Sequence, residues 1–303
     1  MNTEIKQSIR KNRFKIEKTV PQMKIPSVNF HLWQPCNMRC KFCFATFLDV
    51  KHSILPKGHL PEEQAVEVVK SLAEYGFKKI TFVGGEPLLC KWLPRLIRTA
   101  KELGLNTTVV TNGSRLTDEF LQENKQYLDW IALSIDSLNE ETNLKTGRTE
   151  NKKSLTKAYY VDRIKAIKKV GYKLKINTVV NAHNYQESMV DFIKEANPKR
   201  WKIFQVLPIT GQNDGKIEDL KITTAQYESF LKRHEEISVR VPESNDAIKG
   251  SYVMVDPAGR FFDNAEGTHN YSQPILKAGV FEAIKDVNYD IVKFLDRKGF
   301  YNW

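Results

Sequence analysis

Cys36, Cys40 and Cys43 fall in one short run, Cys36-Asn37-Met38-Arg39-Cys40-Lys41-Phe42-Cys43. Three thiolates in one loop can hold one corner of an iron–sulfur cube, and a four-iron cluster takes four ligands. Three ligands from the chain leave one iron open to an outside ligand. A structural zinc site needs a fourth Cys or a His. His31 and His52 are near in sequence, so zinc stands as the alternative. Cys90 is alone and reads as a small buried apolar residue. Four cysteines in 303 residues are too few for a disulfide scaffold. Their clustering reads as metal binding in a reducing compartment.

A second group of residues is cationic. Lys175 and Asn177 are two apart in KLKINTVV (173–180), so on a strand they share a side, opposite Ile176 and Thr178. Arg200 and Lys202 share a side in the next apolar run, opposite Trp201 and Ile203. Lys79 begins KITFV (79–83). If these faces point inward, several cations meet in a poorly solvated space and need an anion. A triphosphate, at about −4, meets that need. The alternative is that they are solvated at strand ends. Tyr252 opens YVMVD, where a Tyr is ordinarily a packing residue with its hydroxyl satisfied.

The elements that must position these residues alternate. Strands are expected at 28–33, 79–83, 106–110, 130–135, 173–180 and 201–207. Helices are expected from Pro61 to Gly76, and at 89–103, 115–127, 154–170, 184–196 and 223–236. Six strand–helix pairs with short connections argue a parallel sheet with helices outside it, an open or partial barrel rather than a closed eight-stranded one. The cysteine run follows the first strand and Gly84-Gly85-Glu86-Pro87 follows the second, the strand ends where parallel α/β folds gather their sites. After about 237 the rhythm changes, and 241–245, 252–256 and 260–262 read as a strand-rich or irregular cap. A last helix is expected at 288–297. The expected division is a basic arm over 1–25, a partial barrel over 26–237 and a C-terminal extension over 238–303 in the same structural domain.

The net charge is +11 and the apolar content 41%. The first excludes nothing but favours an anionic partner. The second excludes a disordered chain. No run approaches the roughly 18–20 apolar residues of a membrane helix. The basic arm has too little apolar area for stable membrane anchoring. No P-loop, HExxH or helix-turn-helix pattern occurs, and no basic-aromatic module suggests direct nucleic-acid binding.

The CxxxCxxC spacing after a first strand, with Gly84-Gly85-Glu86 after the second, resembles the radical S-adenosylmethionine (SAM) superfamily. The stretches NFHLWQPCNMRCKFCFATF, KKITFVGGEP, TNGS, IALSIDS, GR at 147–148, KINTVVNAHN, RWKIFQVLPITGQN, VPESN and SYVMVD resemble, in the same order, the viperin family within it. The resemblance implies an α/β partial (βα)6 barrel with a C-terminal extension capping the site. It implies a [4Fe-4S] cluster on Cys36, Cys40 and Cys43, with SAM on the open iron. Phe42, Gly84, Gly85, Glu86, Asn112, Ser134 and Arg148 are implied at SAM, with Thr111 and Gly113 beside Asn112. Asn29, Lys79, Lys175, Asn177, Arg200 and Lys202 are implied at the substrate, and Tyr252 as a hydrogen relay.

The activity implied is a lyase that converts a ribonucleoside triphosphate to its 3′-deoxy-3′,4′-didehydro form, a terminator of viral RNA synthesis. CTP is favoured, with UTP and GTP as alternatives. An electron donor such as flavodoxin or ferredoxin, a monomeric state and a cytoplasmic location follow from the same likeness. Animal members carry an N-terminal amphipathic helix, which the basic arm does not reproduce, and continue past the segment resembling FLDRKGFYNW. Two rivals remain: a radical SAM enzyme acting on another phosphorylated substrate, and a non-catalytic iron–sulfur or nucleotide-binding protein.

Overall fold

The computed structural model describes residues 24–303. The basic arm expected over 1–25 lies outside the described residues except for Lys24 and Ile25. Strands β1 (Ser27–His31), β2 (Lys79–Val83), β3 (Asn106–Thr111), β4 (Trp130–Ser134), β5 (Lys173–Val180) and β6 (Arg200–Gln205) pair in parallel, in chain order. Strict alternation along them sends one set of side chains outward. Val28, Phe30, Ile80, Phe82, Val109, Ile176, Trp201 and Ile203 enter the main apolar core. Helices α1 (Glu62–Tyr75), α2 (Leu93–Glu102), α3 (Asp118–Glu123), α4 (Glu140–Thr146), α5 (Lys157–Val170), α6 (Val190–Ala196) and α7 (Thr224–Arg233) follow the strands. Ala65, Val69, Leu72, Leu96, Ile97, Ile164, Ile167, Phe192 and Phe230 bring their apolar stripes to that core. Removing one such aliphatic side chain costs about 2–5 kcal/mol, so the outward face sets the stability and leaves the inward face free for polar groups.

The partial barrel is wider than the six expected units. The segment after 237, read as strand-rich or irregular, is strand-rich: it contributes two further parallel strands, β7 (Arg240–Glu243) on β6 and β8 (Val253–Val255) on the far side of β1. Antiparallel β9 (Arg260–Asp263) and β10 (Asn270–Pro274) extend that edge. Both β7 and β8 are too short for an alternation to stand out, and Pro242 falls inside β7. β7 and β10 end the sheet, so it does not close. The helix Glu140–Thr146 was also not anticipated, although its signal is present: the Asn139 side chain accepts from the Glu141 and Thr142 amides, two glutamates open the first turn and Gly147 ends it. The expected last helix is the shorter Ile291–Asp296. Among the described residues no helix is long and apolar enough to cross a membrane.

Candidate functional site

One cavity of about 600 Å³ lies on the inward face of the sheet, and it reaches from the cysteine loop to the cationic strand residues. The loop is clamped from two sides. On one side, the Glu86 amide donates to the Pro35 carbonyl at 3.0 Å, and a Cβ on Gly85 would stand 2.2 Å from that same oxygen. On the other side, Arg39 and Lys41 amides donate to Gly147 at 3.3 Å and Thr146 at 2.9 Å, and a Cβ on Gly147 would stand 2.3 Å from the Arg39 carbonyl. Both glycines are therefore required by close backbone approach to the chain's own loop. This gives Gly147, so far only part of a motif, a physical role.

Cys36, Cys40 and Cys43 all line the cavity. Burial pushes each thiol pKa up, that of Cys40 to about 12, while the Arg148 guanidinium opposes it. Thiols so desolvated ionise when a metal centre supplies the compensating charge. Among the described residues no group of three His, Cys, Asp or Glu side chains is placed to hold a single ion. His31 packs against the rings of Phe44, Phe47 and Phe262, and His52 is exposed. Neither joins the cysteines as the zinc alternative needs. Three thiols around one mouth fit a cluster in which each binds a different iron.

Gly84, Gly85, Asn112, Ser134, Arg148 and Phe42 line the cavity beside the thiols. Arg148 is held by Asp136, which accepts from Nε at 2.6 Å and from an Nη at 2.5 Å. That uses one edge of the fork and leaves its remaining donors for another carboxylate. Its guanidinium stands 5.3 Å from the Phe42 ring. Asp136 also accepts from the Val179 amide at 2.8 Å, so it fixes Arg148 to β5. Glu86 is not at the cavity wall. It is fully buried and accepts from Leu88 N at 3.0 Å, Thr111 Oγ1 at 2.7 Å and Asn112 N at 2.8 Å, which ties the turn after β2 to the end of β3. Asn112 also spends its side chain on neighbours, donating to Asn37 at 2.9 Å and accepting from Ser114 N at 2.9 Å. Gly113 makes no part of the wall.

At the other end, Asn29, Lys79, Lys175, Asn177 and Lys202 line the cavity, while Arg200, on the same side of its strand, lies beyond the wall. The C-terminal tail meets the cations. Lys79 and Lys175 both donate to the Tyr301 hydroxyl, Lys175 at 2.7 Å. Arg200 donates to the backbone carbonyls of Lys298 at 2.6 Å and Arg297 at 3.3 Å. Lys202 donates to Tyr252 Oη and pairs with Glu243, both at 2.6 Å, and Tyr252 donates to the second oxygen of Glu243. Arg297 lies 3.6 Å from the Tyr252 ring centre. Tyr301, Arg297 and Glu243 were missed by sequence reasoning. Tyr301 and Arg297 stand in the terminal FLDRKGFYNW, and Glu243 closes a four-residue strand, so no local pattern marks them.

These cations are expensive to bury. Burial, and then the charges of Lys202 and Arg200, drive the Lys79 pKa well below its usual value. Burial, followed by Lys79, Lys202 and Arg200, does the same to Lys175 against the pull of Glu243. Burial pushes Lys202 to about 7, against Glu243 and with Arg297 and Arg200. A bound polyanion raises all three values, so at pH near 8 it must draw protons from solution, and affinity must fall as pH rises from about 7. Calorimetric titration of inorganic tripolyphosphate in two buffers of different ionisation enthalpy reads this directly. No net proton uptake near pH 8 would show that these amines do not face the phosphates.

Residues 33–196 match the radical SAM superfamily. A protein of Lacinutrix mariniflava named S-adenosylmethionine-dependent nucleotide dehydratase is 68% identical over 281 residues, which is 92% of this chain and 59% of that protein. The chain thus spans about three fifths of that relative's length. A Flammeovirga pacifica protein of the same name is 54% identical over 279 residues, 92% of this chain and 96% of that protein. A solved structure described as native anSMEcpe with bound AdoMet and Kp18Cys peptide superposes with a TM-score of 0.62 at 16% identity, over 88% of this chain and 80% of that one. That likeness concerns the fold.

Proposed function

The chain belongs to the radical SAM superfamily and, within it, to the S-adenosylmethionine-dependent nucleotide dehydratase family, and from that premise we propose that it removes the 3′-hydroxyl and the C4′ hydrogen from a ribonucleoside triphosphate. The product is the 3′-deoxy-3′,4′-didehydro nucleotide. CTP is the favoured substrate, and chain termination of viral RNA is the proposed role. The observation that carries this reading is the single cavity joining three thiols to the buried amines of Lys79, Lys175 and Lys202.

Cys36, Cys40 and Cys43 would hold the [4Fe-4S] cluster. Gly84, Gly85, Phe42, Asn112, Ser134 and Arg148 would hold SAM, with Glu86 bracing the turn from behind. When bound, the cluster and SAM together supply a carbon radical able to remove a hydrogen atom from a sugar. The chain supplies position and dryness. Lys79, Lys175 and Lys202 fix the triphosphate at the far end of the cavity, Arg200 supports them through the tail carbonyls, and Asn29 and Asn177 offer amides to the nucleoside. Burial raises the Tyr252 pKa far above its usual value, so its hydroxyl keeps its hydrogen, held toward Glu243. We assign its electron to the substrate radical and its proton to the departing 3′-hydroxyl, which leaves as water. An electron donor of the flavodoxin or ferredoxin class, a cytoplasmic location and a monomeric state belong to the same reading.

Anaerobic reconstitution with iron, sulfide and SAM, followed by incubation with each of the four nucleoside triphosphates and mass spectrometry, tests it. A product lighter than its substrate by one water, with equimolar 5′-deoxyadenosine, is expected. Cleavage of SAM with every nucleotide recovered intact would direct the search to another phosphorylated substrate. Lys175→Ala should weaken CTP binding by more than ~1 kcal/mol while leaving SAM binding intact, as expected for loss of a charge-assisted bond. Equal affinity of the unmutated protein for CTP and cytidine would remove the triphosphate site.

A further inference from the structure

Asn264 follows β9 and is 1% exposed, yet it lines the cavity. Its Oδ1 accepts the Gly250 amide at 3.0 Å. That bond fixes which way the carboxamide points, because a backbone N–H can face only the oxygen. The free half is therefore a donor. Nδ2 is buried and has no partner among the described residues. A buried amide donor left unpaired is costly, which marks a place where a ligand acceptor belongs.

The surroundings say what kind of ligand. Phe44, Ile248 and Met254 also line the cavity; Gly250, which Asn264 holds, lies two residues from Ile248, and Met254 pairs with Phe262, two residues before Asn264. Phe44 packs on two apolar clusters, one holding Met254 and Phe262 and the other Leu207 and Ile248. Apolar walls with one oriented donor suit a flat heterocycle carrying a carbonyl. Tyr252 packs against the same two clusters and is bonded to Lys202, so the slot adjoins the amines proposed to hold the triphosphate. His31 lines the cavity too, and its buried Nδ1 likewise lacks a partner among the described residues.

We propose that Asn264 is a specificity-determining residue, whose Nδ2 donates to an exocyclic carbonyl oxygen of the nucleobase. This rests on the triphosphate reading above. Cytosine, uracil and guanine carry such an oxygen; adenine offers ring nitrogens alone. The site therefore selects a keto-bearing base over adenine by the group it would otherwise leave unpaired.

The test uses ribose 5-triphosphate as a ligand without a base. The full-length protein should bind at least one of CTP, UTP and GTP more tightly than ribose 5-triphosphate by about tenfold, the value of one well-placed hydrogen bond, and ATP with no such gain. Asn264→Asp retains the acceptor for Gly250 and turns the donor into an acceptor. It should erase the gain while ribose 5-triphosphate affinity, which carries any general effect of the added charge, sets the baseline. An unchanged ratio of the two affinities would overturn the proposal. Should Asn264→Asp fail to fold, the unmutated protein decides. Thiocarbonyls accept hydrogen bonds weakly, so for whichever nucleotide shows the gain its thio analogue (2-thio-CTP, 2-thio-UTP or 4-thio-UTP, or 6-thio-GTP) must bind several-fold more weakly than the parent, and equal binding overturns it. Ribose 5-triphosphate binding no better than ribose would instead overturn the triphosphate reading beneath it.

Discussion

Cys36→Ala, Cys40→Ala and Cys43→Ala are each expected to lose the reconstituted cluster and, with it, all cleavage of SAM. The reasoning is that each thiolate serves a separate iron, so no remaining group can replace it. The nearest spare thiol, Cys90, belongs to the main apolar core behind the sheet and is 3% exposed. Its amide and carbonyl serve the turn into α2, bonding Pro87 at 3.0 Å and Leu93 at 3.1 Å, and these backbone bonds survive substitution. Cys90→Ala should therefore retain full iron and sulfide content, with a modest loss of stability from a small core vacancy. Iron and sulfide quantification of the four variants checks the set. Loss of iron from Cys90→Ala, with retention by any of the other three, would mean the ligands are wrongly assigned.

Much of this was written locally. KITFV and KLKINTVV coincide with β2 and β5, because alternation over five to eight residues is long enough to fix a strand. The same alternation set Lys202 on the side opposite Trp201 and Ile203, since parity alone fixes opposite sides; that one side is the core and the other the cavity comes from the fold. What was not legible depends on which distant segments meet. Tyr301 reaches back more than 120 residues to Lys175, and more than 220 to Lys79, so neither sequence window shows the contact. Arg200 shares the parity of Lys202 but lies where the tail covers it, a difference parity cannot express. Glu86 sits in a motif turn whose backbone faces the cavity, yet its own side chain turns behind it to collect three donors. Asn264 carries no motif at all; only its orphaned amide reveals it.

Tyr252→Phe is expected to uncouple the two products. The substitution keeps the ring over which Arg297 stacks and removes one hydroxyl. Lys202 retains Glu243 at 2.6 Å, so the local ion pair survives. Glu243 loses one donor, which costs about 1–3 kcal/mol of stability. Folding, cluster content and SAM binding should therefore persist. After the hydrogen at C4′ has gone, completion takes one proton, on the departing 3′-hydroxyl so that it leaves as water, and one electron, on the sugar, which closes the C3′–C4′ double bond. A phenol delivers both, and a phenyl ring delivers neither. 5′-Deoxyadenosine should still form when substrate is present, with little didehydro nucleotide beside it. If Tyr252 only packs, any folded variant keeps the ratio of the two products near that of the unmutated protein. Both compounds can be quantified in one anaerobic assay, so the ratio needs no correction for the amount of active enzyme.

In the proposed function, one cavity brings the C4′–H of a nucleoside triphosphate to the radical chemistry beside Cys36, Cys40 and Cys43. The most direct measurement uses CTP, and UTP or GTP in parallel, carrying deuterium at C4′. The proposed chemistry predicts 5′-deoxyadenosine containing one deuterium and a didehydro nucleotide lacking it, in equal amounts. 5′-Deoxyadenosine free of deuterium, with the labelled nucleotide recovered unchanged, would contradict it.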